Sequence, residues 1–561
     1  MACVPLIGHP QAAPTAQQLF AAERWPELVQ LLEKVPQRTA EEDFQYGIAL
    51  ANIGRLEDAR RTLLQGSHLQ PHDKRFLSEA AGVEFKQKRY GAAAAHLRQV
   101  LAYDPQAANV DAEYANDFLA TIYYVQGNVE AAVKFWNRLP QPRPLISAVR
   151  NEPKLRIRPA LLDHALAFSP ASVLTLEQLR TSEVRVRNLG IFPNYRLDLV
   201  SVDGGKFDGV VRARELNGFG NTKFEALLRT FSGLPNQEIT PEYYNLHGSA
   251  TNIVSAFRWD PDKRRARIAL SGPLGWHGTG DPRWRYRLSA EVRNENWDIR
   301  NGFTGPAPIL ESLNLRHEEY LAEIRRVVGW RWRWMLGMDV SHRDLRNVVP
   351  GSVPGGVLTP QMLATGYQVK QRAAVDYQIW RSAVRRIFIS TGLNSQAGRV
   401  WSAPAESFEK LQGSFNFHWL PEVKGDDYET QWTVRCGKTF GDVPFDELFM
   451  LGLGADNDLL MRAHVGTRRG RKGSAPLGRD YVLSNWETDK NIYSNGVIAV
   501  KLGPFVDTGR ITDPDPLLTQ RKLLVDAGAQ AKVRVLGVGV VFSYGKDLRT
   551  GNNEFFATIG R

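Results

Sequence analysis

The chain has 561 residues, 43% apolar and 23% charged, with a formal net charge of +11. This composition excludes a disordered chain, and the length exceeds one ordinary core, so two or three domains are expected. No apolar run reaches the roughly 18 residues of a membrane helix, and Cys3 and Cys436 make neither a zinc spacing nor a disulfide framework. The excess of cations admits nucleic-acid contact, but also an aqueous interior lined with arginine. The alternating strands below favour the second.

Residues 1–15 hold a short apolar piece without a basic start and read as the remnant of an export signal. Residues 16–139 read as helix pairs. Gly47, Gly54, Ala59, Leu63 and Pro71 stand where two antiparallel helices need small residues to touch and a proline to end the pair. Ala59 recurs as Ala93, and Pro71 as Pro105, each 34 residues on. Ala120, Tyr123, Gly127, Ala132 and Trp136 follow as a third copy after an insertion. This resembles the tetratricopeptide repeat, whose period of about 34 residues builds a concave surface. The array reads either as a receptor for a partner protein or as a helical spacer.

A proline-rich join at 140–144 leads to a short α/β unit at 155–217. Thr175 caps a helix carrying Leu176, Leu179 and Leu189. An alternating strand follows, and Asp203, Gly204 and Gly205 turn it back as a hairpin.

From 222 to 561 no helical period appears, and strands alternate with clusters of glycine, proline, asparagine and aspartate. Val328, Trp330, Trp332, Trp334, Leu336, Met338 and Val340 share one parity; Arg331, Arg333, Met335, Gly337, Asp339 and Ser341 share the other. A common strand has about 5–6 residues, whereas a tilted strand crossing a bilayer needs about 9–11. Trp284, Tyr286, Leu288, Ala290 and Val292 alternate in the same way with Arg283, Arg285, Arg287, Ser289, Glu291 and Arg293. A wall with lipid outside and water inside has this pattern. Dividing the region among 16 strands leaves about 21 residues for each strand with its loop, and 14 or 18 would also fit. The expected fold is therefore an all-α solenoid, a small α/β domain and a C-terminal transmembrane β-barrel of 16 strands.

The most specific residues lie after Phe445. A basic loop runs from Arg468 to Gly473 and reads as solvated or lumen-facing. Later, Ile498, Val500, Leu502 and Val506 share one parity and Lys501, Phe505 and Asp507 the other. A cation at the bilayer midplane costs about 2–4 kcal/mol, so Lys501 and Asp507 face the lumen. The strand carries Phe505-Val506-Asp507-Thr508-Gly509, an earlier one carries Asn485-Trp486-Glu487, and the loop before it holds Met461-Arg462-Ala463-His464.

These motifs resemble the outer-membrane assembly factors of the BamA/TamA type, also called bacterial surface antigens. In that family a long loop with an arginine–glycine–aromatic tip folds back into the barrel, and a later strand carries phenylalanine–x–aspartate–x–glycine. Arg462 keeps the arginine; Ala463 and His464 replace the other two. The α/β unit ahead of the barrel likewise resembles a POTRA domain. The resemblance implies a structural lock in the lumen, Arg462 pairing with Asp507 beside Glu487, supported by Phe505, Gly509 and Asn485. An arginine fork on carboxylates gives the charge-assisted bonds such a lock needs.

It further implies a bacterial outer-membrane protein with its N-terminal domains in the periplasm. Its function would be assembly or translocation of unfolded or secreted client proteins, with a periplasmic partner on the repeats. The alternatives are a passive channel or structural surface protein in the same membrane, and a soluble β-rich binding protein. No HExxH, phosphate-loop or GxSxG pattern occurs. No enzyme activity, cofactor, metal or nucleic-acid partner is expected. Asp456-Asn457-Asp458 lacks the rest of a calcium loop and reads as a solvated turn. The final FFATIGR holds Phe555 and Phe556 but ends on Arg561, where the family generally ends on an aromatic residue.

Overall fold

The computed structural model describes residues 14–560 apart from 104–109, 221, 232, 276–279, 301–306, 403–404, 423–426, 455, 496, 519–521 and 536–537. Pro105, Arg561 and residues 1–13 of the expected export remnant lie outside the described residues. The chain divides into two compact units, Met1–Leu145 and Ile146–Arg561.

The first unit is built of helix pairs. Ala40–Asn52 with Leu56–Leu69, Lys74–Lys86 with Tyr90–Tyr103, and Val110–Val125 with Val129–Trp136 follow a shorter pair, Ala16–Ala21 with Trp25–Leu32. Thr39 starts the second pair with a capping box to Glu42. The small residues sit where the helices touch: a methyl at Gly47 would meet Leu63 Cγ at 2.6 Å. Ala59, Leu63, Ala93, Ala120 and Ala132 are fully buried. Gly54 and Gly127 take φ of +84° and +78° in the tight links, a conformation that favours glycine.

The second unit opens with a three-stranded sheet whose order is first, third, second: Leu145–Glu152, Lys206–Arg214, Asn194–Val202. The helices Pro159–Ala165 and Leu176–Asn188 connect its first two strands. Thr175 caps the second helix through a box with Gln178. The hairpin turn falls at Asp203–Gly205, with Gly204 and Gly205 at positive φ. The first strand lies ahead of 155, in the stretch that sequence reading leaves unassigned between the proline-rich join at 140–144 and the α/β unit. Its short alternation carries no signal that separates it from a linker.

The rest is a closed barrel in which successive wall strands pair antiparallel. Its long strands are nine from Asn252–Arg258 to Tyr428–Gly441 and five from Asp480–Ser494 to Asn553–Gly560, among the described residues. Before them, Glu238–Ile239 and Glu242–Tyr243 pair with Asn252–Arg258 in one continuous register. They are one wall strand interrupted at Pro241, which has no N–H to give the ladder. Among the described residues the closed sheet has 18 segments, of which Thr467–Arg468 and Arg471–Lys472 are a hairpin of the long loop; by register the wall has 15 strands, one fewer than the 16 expected.

Alternation holds around the wall. Leu288, Val292, Trp332, Leu336, Met338, Leu393, Trp432, Leu502 and Val506 are exposed on the outer parity, while Glu295, Asp339, Arg343, Lys370 and Asp507 are buried on the inner one. An apolar belt of this extent is what a lipid-facing wall presents. Among the described residues no helix is long and apolar enough to cross a membrane. The tryptophan strand begins at Trp332 rather than Val328, because residues 328–331 form the hairpin turn from Ile309–Val327. Arg331 therefore belongs to the turn, and Arg333 pairs with Asp376 close to it. The buried lumen arginine of this strand is Arg343, fully enclosed.

Candidate functional site: the long loop inside the barrel

Residues 442–479 join Tyr428–Gly441 to Asp480–Ser494 and fold back against inward-facing side chains of the wall. The loop brings apolar residues of its own: Leu451 and Met461 are fully buried with Leu483, Ile511 and Tyr481 of the wall. Burying these gives the loop a small core, and the polar anchors fix its position on it.

At the tip the structure brings Arg462, Asp507 and Glu487 together. Arg462 Nε and Nη2 donate to the two Asp507 carboxylate oxygens at 2.8 and 2.7 Å. The Arg462 backbone N–H adds a third bond to Asp507 at 3.1 Å. Arg462 Nη1 donates to Glu487 Oε2 at 2.9 Å and to Gln530 Oε1 at 2.8 Å. The guanidinium lies 3.8 Å from the centroid of the Phe505 ring, a cation–π stack in a desolvated setting. Asn485 Nδ2 bridges Asp507 Oδ1 and the Leu460 carbonyl, each at 2.8 Å. A methyl at Gly509 would stand 3.0 Å from Met461 Sδ, so glycine there leaves room for the loop. All six residues singled out in the sequence converge on one point.

Sequence reading missed a second half of this anchor. Ala463 N–H donates to Asp526 Oδ2 at 2.7 Å, and His464 Nδ1 lies 3.1 Å from the same oxygen. The His464 ring thus sits against a buried carboxylate. A methyl at Gly545 would meet the Arg462 carbonyl oxygen at 2.6 Å, so the wall is cut back to seat the tip. Lys532 closes the cluster, 2.5 Å from Glu487 and 2.6 Å from Asp489. A signal for Asp526 exists: Leu524-Val525-Asp526-Ala527-Gly528 repeats the spacing of the Phe505 motif.

The loop has two more polar anchors, on other parts of the wall. Glu447 receives Lys370 at 2.7 Å and Lys410 at 3.1 Å, with Arg343 3.3 Å from Asp446. Asp456, expected as a solvated turn, is instead ion-paired with Arg265, with Arg258 at 2.9 Å and with Lys472 at 3.5 Å. The basic loop is a hairpin, Thr467–Arg468 with Arg471–Lys472, whose charges meet Glu554, Asp298 and Glu295 at 3.2, 3.0 and 2.6 Å. These cations therefore lie against carboxylates of the barrel. The loop ties strands near the beginning of the wall to those near its end.

The class these features define is a closed barrel with an apolar outer belt and a long loop anchored in its lumen, preceded by an α/β module and helical repeats. The tetratricopeptide repeat family model matches residues 84–150. No curated relative matches the chain. Among solved structures it is similar to BamA from Haemophilus ducreyi lacking POTRA domains 1-3, at 12% identity and a TM-score of 0.41, covering 74% of this chain and 84% of that one. It is also similar to CdiB from Escherichia coli, at 13% identity and a TM-score of 0.46, covering 73% and 75%. CdiB from Acinetobacter baumannii gives 10% identity and a TM-score of 0.43, covering 73% and 72%.

Proposed function

We propose that this protein is an outer-membrane barrel that assists the assembly or translocation of client proteins, with its N-terminal domains in the periplasm. The observation that carries this reading is the loop tip locked by Arg462 across Asp507 and Glu487 inside a wall with an apolar outer belt. A lumen holding a folded, multiply anchored loop counts against a standing passive channel. On this reading the three-stranded α/β module is a POTRA-like domain. An unfolded client strand would add to an edge of its sheet through main-chain hydrogen bonds, which needs no nucleotide. The helical repeats would receive a client or a periplasmic partner. The lumen charges serve the loop's anchoring, and we assign the protein no catalytic step.

The test is depletion of the protein in its native cell, with carbonate-washed outer membranes compared before and after. Loss of other outer-membrane proteins, or of one secreted protein, is expected. Solute leakage without any such loss would replace this reading by the channel. Release of the protein itself by the carbonate wash would remove it from the membrane altogether.

A further inference from the structure

The chain climbs from the α/β module to the first wall strand through the helix Lys223–Phe231, and this helix is inside out. Thr222 starts it, its hydroxyl accepting from the Glu225 N–H at 3.0 Å. Phe224, Leu227 and Phe231 recur at helical spacing, so they share one stripe. In water such a stripe turns toward the protein. Here the three are 59%, 58% and 44% exposed, whereas Glu225 is fully buried. Glu225 is held by Arg214 of the α/β sheet at 2.7 Å. The side chain that should seek water is inside, and those that should avoid it are outside.

The helix stands beside the wall. Phe219, just before it, packs edge-on against Tyr243 with ring centroids 5.0 Å apart. Tyr243 pairs with Ile253, and Ile239 with Phe257, in the register of the first wall strand. Near the helix's other end, Thr240 N–H donates to the Thr230 carbonyl at 3.0 Å. The helix therefore rises alongside the strand that then descends. Phe257 of the next strand and Trp259 just beyond its end are exposed on the same outer parity as Phe219's partner Tyr243, and Leu234 prolongs the apolar surface beyond the helix.

Strand direction marks the same place. By register the wall has 15 strands among the described residues, and successive ones alternate in direction, so the interrupted first strand and the last strand, Asn553–Gly560, which neighbour each other in the sheet, run the same way. Antiparallel closure needs an even number. The rising segment between the α/β module and Glu238 takes the remaining place in the sequence of rises and descents as a helix. A helix satisfies its own backbone, which is the condition for any segment in contact with lipid.

We propose that Lys223–Phe231 is a lipid-facing element beside the barrel's seam, its stripe of Phe224, Leu227 and Phe231, with Phe219 and Leu234, covered by acyl chains of the bilayer. This rests on the reading of the barrel as embedded in a membrane. The test uses the full chain with Cys3 and Cys436 replaced by serine, reconstituted in phosphatidylcholine vesicles. Leu227→Cys and, on the outer face of the tryptophan strand, Leu336→Cys each carry an environment-sensitive fluorophore; Phe224→Cys replaces Leu227→Cys should that variant fail to insert. Lipids bearing a nitroxide on the acyl chain are expected to remove most of the emission at both sites, and aqueous iodide little of it. Lipid quenching at Leu336 with iodide quenching at Leu227 would overturn the proposal and leave the barrel's embedding intact. So would lipid quenching at Leu336 with neither quencher reaching Leu227, since protein would then cover the stripe. Absence of lipid quenching at Leu336 would overturn the embedding itself.

Discussion

Asp507 and Asp526 are direct cross-strand partners, one on Ile498–Thr512 and the other on Leu524–Val535, and both are fully buried. Two carboxylates placed opposite one another on adjacent strands repel. Neither can stand in a buried wall without donors of its own. The loop tip supplies them separately: the Arg462 fork to Asp507, and the Ala463 N–H with the His464 ring to Asp526. The pair makes a site that is stable only when the loop fills it. The same argument explains why three consecutive tip residues are all engaged.

Removing either partner of the first anchor should weaken the barrel strongly. Arg462→Ala strips Asp507 of its charge-assisted donors, and Asp507→Asn leaves the guanidinium short of a countercharge. Breaking one side of a buried pair costs about 3–5 kcal/mol. Both variants are expected to lose heat-modifiable migration at a lower temperature than the parent. The double variant should lose less than the sum of the two, because the residues act as one interaction. Unchanged migration and surface levels in both single variants would remove the lock.

The second anchor is tested at the backbone. Gly545→Ala sets a methyl 2.6 Å from the Arg462 carbonyl oxygen, which as main chain has little freedom to yield. Gly551→Ala, in the following turn, provides a comparison at a position where a methyl meets nothing within 4 Å but φ is +77°. The first is expected to raise proteolytic cleavage of the loop at 442–479, and the second to leave loop cleavage at the parental level while affecting only the local turn. Equal loop cleavage in both would deny Gly545 its role in seating the tip.

How much of this was legible in the sequence depends on whether the pattern was local. Asp507 could be placed on the lumen side because Lys501 shares its parity, and Arg462 could be matched to it through the motif. Asp526 lies in a repeat of the same spacing, Leu524-Val525-Asp526-Ala527-Gly528, a signal as local as that of Asp507 but not part of the motif that singles out Asp507. Glu447 could not be found this way: Lys370 and Lys410 lie 77 and 37 residues from it, and only the closed sheet brings them together. Trp330 misled for a different reason. It continues the parity of Trp332 and Trp334, and parity cannot report where a strand stops; Gly329 beside it was the better signal. The ring of Trp330 instead lies 4.6 Å below the Arg180 guanidinium of the α/β module.

Glu447 makes the occupancy of the lumen measurable. Its carboxylate bonds Lys370 and Lys410, both largely buried. Glu447→Ala leaves two ammonium groups in the wall without it, a loss of about 3–5 kcal/mol from the loop's seat on that side. The parent in planar bilayers is expected to conduct little, and the variant to show larger and more frequent openings. Glu447→Gln, which keeps the size and hydrogen bonds but not the charge, should fall between them. A parent that already conducts as freely as the alanine variant would mean that the loop leaves the pore open.

The last prediction concerns the join between the α/β module and the barrel. Glu183 of Leu176–Asn188 lies 2.6 Å from Arg381 at the end of Gly366–Ser382. The C-terminal end of the helix is held by Arg285, whose Nη1 donates to the Asn188 carbonyl at 3.0 Å. Burial disfavours charge on Glu183, but Arg381, Arg187 and Arg180 outweigh it and hold the carboxyl below its ordinary range. A carboxyl depressed in the folded state contributes stability above its unfolded value and loses it as pH falls through the lowered one. The docked arrangement should therefore persist through mildly acid pH and loosen only below the usual carboxylate range. Glu183→Gln removes the charge at every pH and should weaken docking by about 1.5–3 kcal/mol already at neutrality. Spin labels on Leu176–Asn188 and on the 383–386 turn report this as a distance distribution, narrow in the parent and broad in the variant at pH 7. A parent distribution already broad at neutral pH would show that this contact does not hold the module in place.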